Sequence, residues 1–222
     1  MPVILLIFLV GRSHTQDAKM TDDVWAFEKE ARLNGFNVVA GIDEAGRGPL
    51  AGPVVAAAVI LSDPLPVSGI DDSKKVSPKK REKLFDEIYR HAISVGVGMV
   101  DPVDIDRMNI LQASLLAMAI SVQNLDTLPD FLLIDGTFPI SFNLPQKAIP
   151  KGDALSISIA AASIVAKVTR DRIMEQYARQ YPEFDFAKHK GYPTKAHKEA
   201  IRKHGVSPIH RVTFKGVKEY CR

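Results

Sequence analysis

Four carboxylates occupy the positions where this sequence is best placed to do chemistry. Asp43 and Glu44 are adjacent and close the apolar run Val38-Val39-Ala40-Gly41-Ile42, while Asp135 closes the run Phe131-Leu132-Leu133-Ile134. Asp153 follows Lys151-Gly152, just ahead of a long helical segment. Charge at the end of a buried strand is costly unless something compensates it, and a divalent cation that takes hard oxygen ligands is a natural compensator. Carboxylates converging from two strand ends and a helix start can hold two ions roughly 4 Å apart, an arrangement suited to in-line phosphoryl displacement. One ion then acidifies an attacking water and the other stabilises the leaving 3′-oxygen. Taken singly, each acid has a plainer explanation. Asp135-Gly136 suits a tight turn and Asp153 suits a helix N-cap, but two adjacent acids on a strand terminus rarely serve a turn.

Gly46-Arg47-Gly48-Pro49-Leu50-Ala51 formally fits the G-x-G-x-x-A pattern of dinucleotide-binding enzymes. That pattern requires a helix to start at the glycines. Here Pro49, Gly52 and Pro53 interrupt it, a strand pattern follows, and Asp43 and Glu44 would place negative charge beside a pyrophosphate. The dinucleotide reading is therefore set aside. Glycines also let main-chain groups approach a sugar hydroxyl closely, and the 2′-hydroxyl is what separates RNA from DNA at a given site. A simple hairpin turn is the alternative.

The elements that must position these residues follow from pattern. Phe36–Asp43 and Pro53–Leu61 are apolar runs around a glycine-rich turn and predict a β-hairpin. Asp63–Ser73, with Pro64, Pro66 and Gly69, predicts a loop. Ser77 followed by Pro78 predicts an N-capped helix to about His91. Ala92–Val100 predicts a third strand. Ile110–Leu125 has Leu111, Leu115, Met118 and Val122 at helical spacing. Phe131–Asp135 predicts a short buried strand, Ala154–Gln180 a long helix, and Thr194–His204 a short basic helix stopped by Gly205. Strands that come first as a hairpin and later alternate with helices predict an α/β fold with a mixed sheet.

The chain has 222 residues, 46% hydrophobic and 25% charged, which suits one globular domain with a real core. The single Cys221 excludes a disulfide framework or a cysteine-based zinc site and favours a reducing compartment. The net charge of +3 is unevenly distributed: residues 186–222 carry ten Lys/Arg against Glu199 and Glu219, or +8, leaving −5 for the remainder. A basic region joined to an acidic body suggests a polyanionic partner, though a solvated helix face gives the same pattern. MPVILLIFLV at the start lacks a charged leader and a small-residue cleavage site, and is too short to span a bilayer. Residues 1–19 are expected to be an extension outside the fold, 20–185 the catalytic body and 186–222 a substrate-binding region, in a cytoplasmic monomer. His189, His197, His204 and His210 fit no zinc spacing; solvated or phosphate-facing roles are expected of them. A non-catalytic nucleic-acid binder could use the same basic surface, but would need no carboxylates at strand ends.

The segment Gly41-Ile42-Asp43-Glu44-Ala45-Gly46-Arg47-Gly48-Pro49-Leu50-Ala51-Gly52-Pro53-Val54 resembles the opening signature of the bacterial ribonuclease HII family. The resemblance continues through Asp72-Ser73-Lys74-Lys75, Asn109-Ile110-Leu111, Ile134-Asp135-Gly136, Lys151-Gly152-Asp153, the stretch from Ser158 to Asp171, His189–Thr194 and His210-Arg211. It implies a ribonuclease H-like fold and Mg²⁺- or Mn²⁺-dependent hydrolysis of the RNA strand of RNA–DNA hybrids. It also implies incision 5′ to single ribonucleotides in duplex DNA, leaving 3′-hydroxyl and 5′-phosphate ends. Asp43, Glu44, Asp135 and Asp153 would then be the catalytic metal ligands. Gly46, Arg47 and Gly48 would sense the 2′-hydroxyl, and Tyr192 would stack on the sugar at the RNA–DNA junction. Ser73, Lys74, His189 and Lys190 would contact phosphate. No sliding-clamp-binding peptide is evident near the C-terminus, and Asp171 is expected to form an ion pair on its helix.

Overall fold

The computed structural model describes residues 23–63, 66–67, 69–70 and 77–221. The expected extension 1–19, Asp72, Ser73, Lys74, Lys75 and much of the expected 63–73 loop lie outside the described residues.

Five strands form one mixed sheet in the order β3-β2-β1-β4-β5. β1 (Val39–Ala45) and β2 (Val54–Leu61) are the expected antiparallel hairpin, and β3 (Ala92–Val100) extends it on the far side of β2. On the other side of β1 lie β4 (Phe131–Asp135) and β5 (Gln146–Ile149), both parallel to their neighbours. β2 is buried along its whole length, and so reads as a continuous apolar run rather than an alternation. Val54, Ala56, Ala58 and Ile60 pack toward α4 (Ile110–Gln123), through Ala113, Ala117, Met118 and Val122. Ala57, Val59 and Leu61 pack toward α2 (Pro78–His91) and α5 (Ile157–Gln180).

Close approach of the helices sets where the site forms. A Cβ added to Gly41 would lie 2.1 Å from the Ser158 carbonyl carbon, so only glycine lets the start of α5 rest directly on β1. Asp43 is two residues further along β1 and therefore shares the face of Gly41 that meets α5. Gly96 and Gly98 on β3 serve α4 in the same way, with an added Cβ 2.1 Å and 2.0 Å from the carbonyl oxygens of Ser121 and Ala117.

Several boundaries differ from the expectation. β1 runs on to Ala45, two residues past the expected end at Asp43, so Asp43 and Glu44 are both paired within the strand. α5 begins at Ile157, capped by Ser156, whose hydroxyl accepts the Ile159 N–H; Asp153 instead lies in a short 3₁₀ turn, Gly152–Ala154, and is not the N-cap. α1 (Ala26–Leu33), α3 (Pro102–Met108), α6 (Phe186–His189) and β5 were not foreseen. α3 carries the same N-cap-plus-proline signal as α2, Asp101-Pro102, but its seven residues are too few to show periodicity. α7 (Lys195–His204) is capped by the Thr194 hydroxyl and ends at Gly205 as expected. The C-terminal region packs onto the body through a core in which Phe184, Phe186, Ile201 and Val217 join Leu50, Ala51 and Met174. Among the described residues no helix is long and apolar enough to cross a membrane.

Candidate active site

The parallel pairing of β1 with β4 places Ile42 opposite Ile134, so Asp43 and Asp135 leave adjacent strands at the same level. The Asp135 Oδ1 accepts the Gly152 N–H at 2.7 Å, which ties the 3₁₀ turn bearing Asp153 to the end of β4. Asp153 is itself buried, at 3% exposure. All four sequence-predicted carboxylates thus belong to the β1, β4 and 3₁₀-turn segments at one end of the sheet.

Electrostatics show what this arrangement does to the acids. Burial pushes the Asp43 carboxyl well above the usual range, and the charges of Glu44 and Asp135 push it further. Hydrogen bonds from the Ser163 hydroxyl and the Glu44 N–H, the latter at 2.7 Å, only partly offset this. Glu44 is also raised by burial; Arg47, whose Nη1 lies 3.3 Å from its Oε1, works against the shift, and Asp135 adds to it. Mutually repelling buried carboxylates are the donor set that a divalent cation would stabilise. Among the described residues no three His, Cys, Asp or Glu side chains come together as a group that could hold a metal ion by themselves. Mg²⁺-type sites need none, since one or two carboxylates suffice where waters and substrate phosphates complete the shell.

A cleft of about 440 Å³ opens beside Glu44. Glu44, Gly46, Arg47, Gly48, Ser163, Lys167, Arg81 and Tyr192 line it. A second cavity, of about 320 Å³, carries Asp135 and Ser114 and shares Glu44 and Arg47 with the first. The glycine turn leads from β1 straight into β2, which disposes of the dinucleotide reading, since no helix begins there. Tyr192 is 43% exposed, and its ring lies 3.6 Å from where a Cβ on Gly48 would be. The structure therefore brings the predicted turn and the predicted tyrosine together.

Other predicted contacts fall elsewhere. His189 is buried rather than phosphate-facing: its Nε2 meets the Phe184 carbonyl at 2.7 Å and its Nδ1 accepts the Gly191 N–H at 3.2 Å. Lys190 is held by Glu175, with Nζ 2.7 Å from Oε1. His197 and His210 are also buried, so the expected solvated role fails for them as well. The Ser207 N–H donates to His210 Nδ1 at 2.9 Å, leaving Nε2–H of His210 to donate to His197 Nε2 at 3.0 Å. Nδ1–H of His197 then donates to the Tyr192 carbonyl at 2.9 Å. This chain requires both rings to be neutral, and burial lowers each pKa to about 4. Asp171 pairs with Lys167 at 2.5 Å, as expected.

Sequence reasoning missed Ser163, Lys167 and Arg81 on the cleft wall. It also missed Arg170 and Arg211, buried at 1% and 0% beneath the glycine turn. Nothing in a linear pattern says that an arginine is interior.

The solved ribonuclease H2 from Pyrococcus horikoshii OT3 superposes with a TM-score of 0.70 at 30% identity, covering 83% of this chain and 97% of that one. The structure titled as the PCNA:RNase HII complex from Archaeoglobus fulgidus gives 0.66 at 30% identity, covering 81% and 96%. Fold and site together place the protein among nucleases of ribonuclease H-like architecture. Residues 40–217 match the family model described as Ribonuclease HII. Ribonuclease HII of Geobacter metallireducens is 60% identical over 89% of this chain and 92% of that protein. That of Syntrophus aciditrophicus is 58% identical over 85% and 89%. The chain belongs to the ribonuclease HII family and is a metal-dependent endoribonuclease.

Proposed function

We propose that this enzyme hydrolyses the RNA strand of RNA–DNA hybrids and cuts on the 5′ side of a single ribonucleotide embedded in duplex DNA. The observation that carries this reading is the shared cleft: Glu44, the Gly46–Gly48 turn and Tyr192 all line it, so a nucleotide seated there meets one of the four acids and the sugar-reading groups together. Asp43, Glu44, Asp135 and Asp153 would hold Mg²⁺ or Mn²⁺ in a two-ion arrangement. Bound there, the ions supply an acidified water and charge stabilisation for the departing 3′-oxygen. Glu44 lies where the two cavities meet, between Asp135 and the turn. Ser163 holds the Asp43 carboxyl toward α5. The Gly46–Gly48 main chain offers donors to a 2′-hydroxyl, and the exposed Tyr192 ring offers a stacking surface for the following deoxyribose. The basic C-terminal region would follow the duplex backbone, with affinity falling as salt rises.

The test is a labelled DNA duplex carrying one ribonucleotide, incubated with and without Mg²⁺ or Mn²⁺. One metal-dependent nick on the 5′ side of the ribonucleotide, leaving 3′-hydroxyl and 5′-phosphate ends, is expected. Cleavage of a long hybrid with none at the single ribonucleotide would remove the junction reading.

A further inference from the structure

Arg211 is fully buried, yet its hydrogen bonds run to main-chain carbonyls. Its Nη2 donates to Gly46 O at 2.6 Å, its Nη1 to Arg47 O at 3.1 Å and Pro49 O at 2.9 Å, and its Nε to Gly52 O at 3.0 Å. Arg170, on α5, takes the complementary set: Pro53 O at 3.0 Å, Ala51 O at 3.1 Å and Lys190 O at 3.0 Å. The carbonyls of Gly46, Arg47, Pro49, Ala51, Gly52 and Pro53 are therefore gathered onto two guanidinium groups. A guanidinium suits this task because its N–H groups form a rigid planar fork that a lysine ammonium cannot reproduce.

Arg211 is fixed in turn. Its own N–H donates to Leu50 O at 2.8 Å, and Gly52 N–H donates to Ile209 O at 2.9 Å. Beyond it, Asp106 accepts the N–H groups of Val212 and Thr213 at 2.8 and 3.0 Å. The guanidinium lies 5.0 Å from the Phe214 ring centroid. The side chain has little freedom to follow the turn if the turn moves.

A trans peptide unit is planar, with its C=O and N–H opposed. Carbonyls of Gly46 and Arg47 drawn toward the interior therefore turn the N–H groups of Arg47 and Gly48 the other way, toward the side of the turn that walls the cleft. We propose that Arg211 is a positioning residue that holds the Gly46–Pro53 turn so that the N–H groups of Arg47 and Gly48 face the sugar–phosphate of the nucleotide being read. The substrate half of this inference rests on the proposed function; the half concerning the turn does not.

The test compares the full-length protein with Arg211→Lys, which keeps the charge and loses the fork. Two readouts are needed: hydrogen exchange across the chain, and the ratio of affinities for a duplex with one ribonucleotide and the same duplex in all-DNA form, with Ca²⁺ to prevent cleavage. Exchange in peptides spanning 46–53 should rise about tenfold or more while β2 and the first half of α5 keep their protection. The affinity ratio should fall toward one. Unchanged exchange at 46–53, or an equal rise throughout the C-terminal region, would overturn the proposal, as would local loosening with an undiminished affinity ratio. A wild-type protein with no preference for the ribonucleotide sinks the proposed function instead, and local exchange still decides whether Arg211 holds the turn. If Arg211→Lys does not fold, the wild-type guanidinium protons decide: slow exchange by NMR supports the proposal, and solvent-rate exchange overturns it.

Discussion

Two charged regions, the carboxylates at the end of β1 and β4 and the arginines beneath the glycine turn, handle burial in opposite ways. At the end of β1 and β4, negative charges are gathered, and despite hydrogen bonds from Ser163 and the Glu44 N–H the Asp43 carboxyl stays raised well above its usual range. Beneath the glycine turn, positive charges are gathered, and burial lowers Arg170 to about 10 and Arg211 to about 9. Both values still lie above neutral pH, so the arginines remain cations, and main-chain carbonyls meet their donors. In the proposed function the first region would gain stability from a cation that the protein does not itself provide. The second has its hydrogen-bond partners within the fold. If the proposed function holds, an ion-recruiting centre beside a preformed reading surface is a division suited to an enzyme that selects a nucleotide before cutting it.

Removing charge from the first region should cost function without costing stability. Asp43→Asn, or Asp135→Asn, is expected to lower the Mg²⁺- or Mn²⁺-supported cleavage rate by about a thousandfold or more, equivalent to several kcal/mol. Duplex binding should survive, and the melting temperature of Asp43→Asn should hold or rise, since a desolvated carboxylate is gone. Near-normal turnover in either variant would break the assignment of these acids.

In the second region the balance should reverse. Arg170→Met strands carbonyls that were paired, and is expected to cost on the order of 3 kcal/mol or more in urea unfolding. A loss under about 1 kcal/mol would show that water replaces the guanidinium readily.

The histidine chain beneath Tyr192 predicts a pH dependence. His197 and His210 have folded pKa values of about 4 against an ordinary 6.5. Between those values the unfolded chain binds protons that the folded protein refuses, so stability is present above pH 6.5 and drains away as pH falls toward 4. Between pH 7 and 5 the two rings should remove roughly 3 kcal/mol, while the raised carboxylates of Asp43 and Glu44 act in the opposite direction. His197→Asn, measured beside the wild type by denaturant unfolding at each pH, isolates the histidine share. Equal slopes in the two proteins would refute it.

The smallest expected effect is at the reading surface. Tyr192→Ala should reduce preference for the ribonucleotide junction over a long hybrid about tenfold, from loss of stacking, with a smaller change in overall affinity. Equal losses on both substrates would make Tyr192 structural.

Sequence alone determined the elements whose signals are local. Ser77-Pro78 and Thr194 with Gly205 marked helix ends, the runs before Asp43 and Asp135 marked strands, and Asp43-Glu44 marked a place where charge meets a buried strand. These follow from period, capping and turn chemistry, which act within a few residues. Only the tertiary structure decided that Asp43 and Asp135 leave neighbouring strands together, because the parallel pairing of β1 with β4 joins segments about ninety residues apart. It also moved His189 from the surface into a buried stack on the His197 ring, with centroids 4.5 Å apart, replaced Asp153 by Ser156 as the cap of α5, and turned two arginines inward. The physical reason is the same in each case. Whether a polar side chain is buried depends on which partners distant segments bring to it, and an arginine met by carbonyls from residues 46–53 has the same linear neighbourhood as one facing solvent.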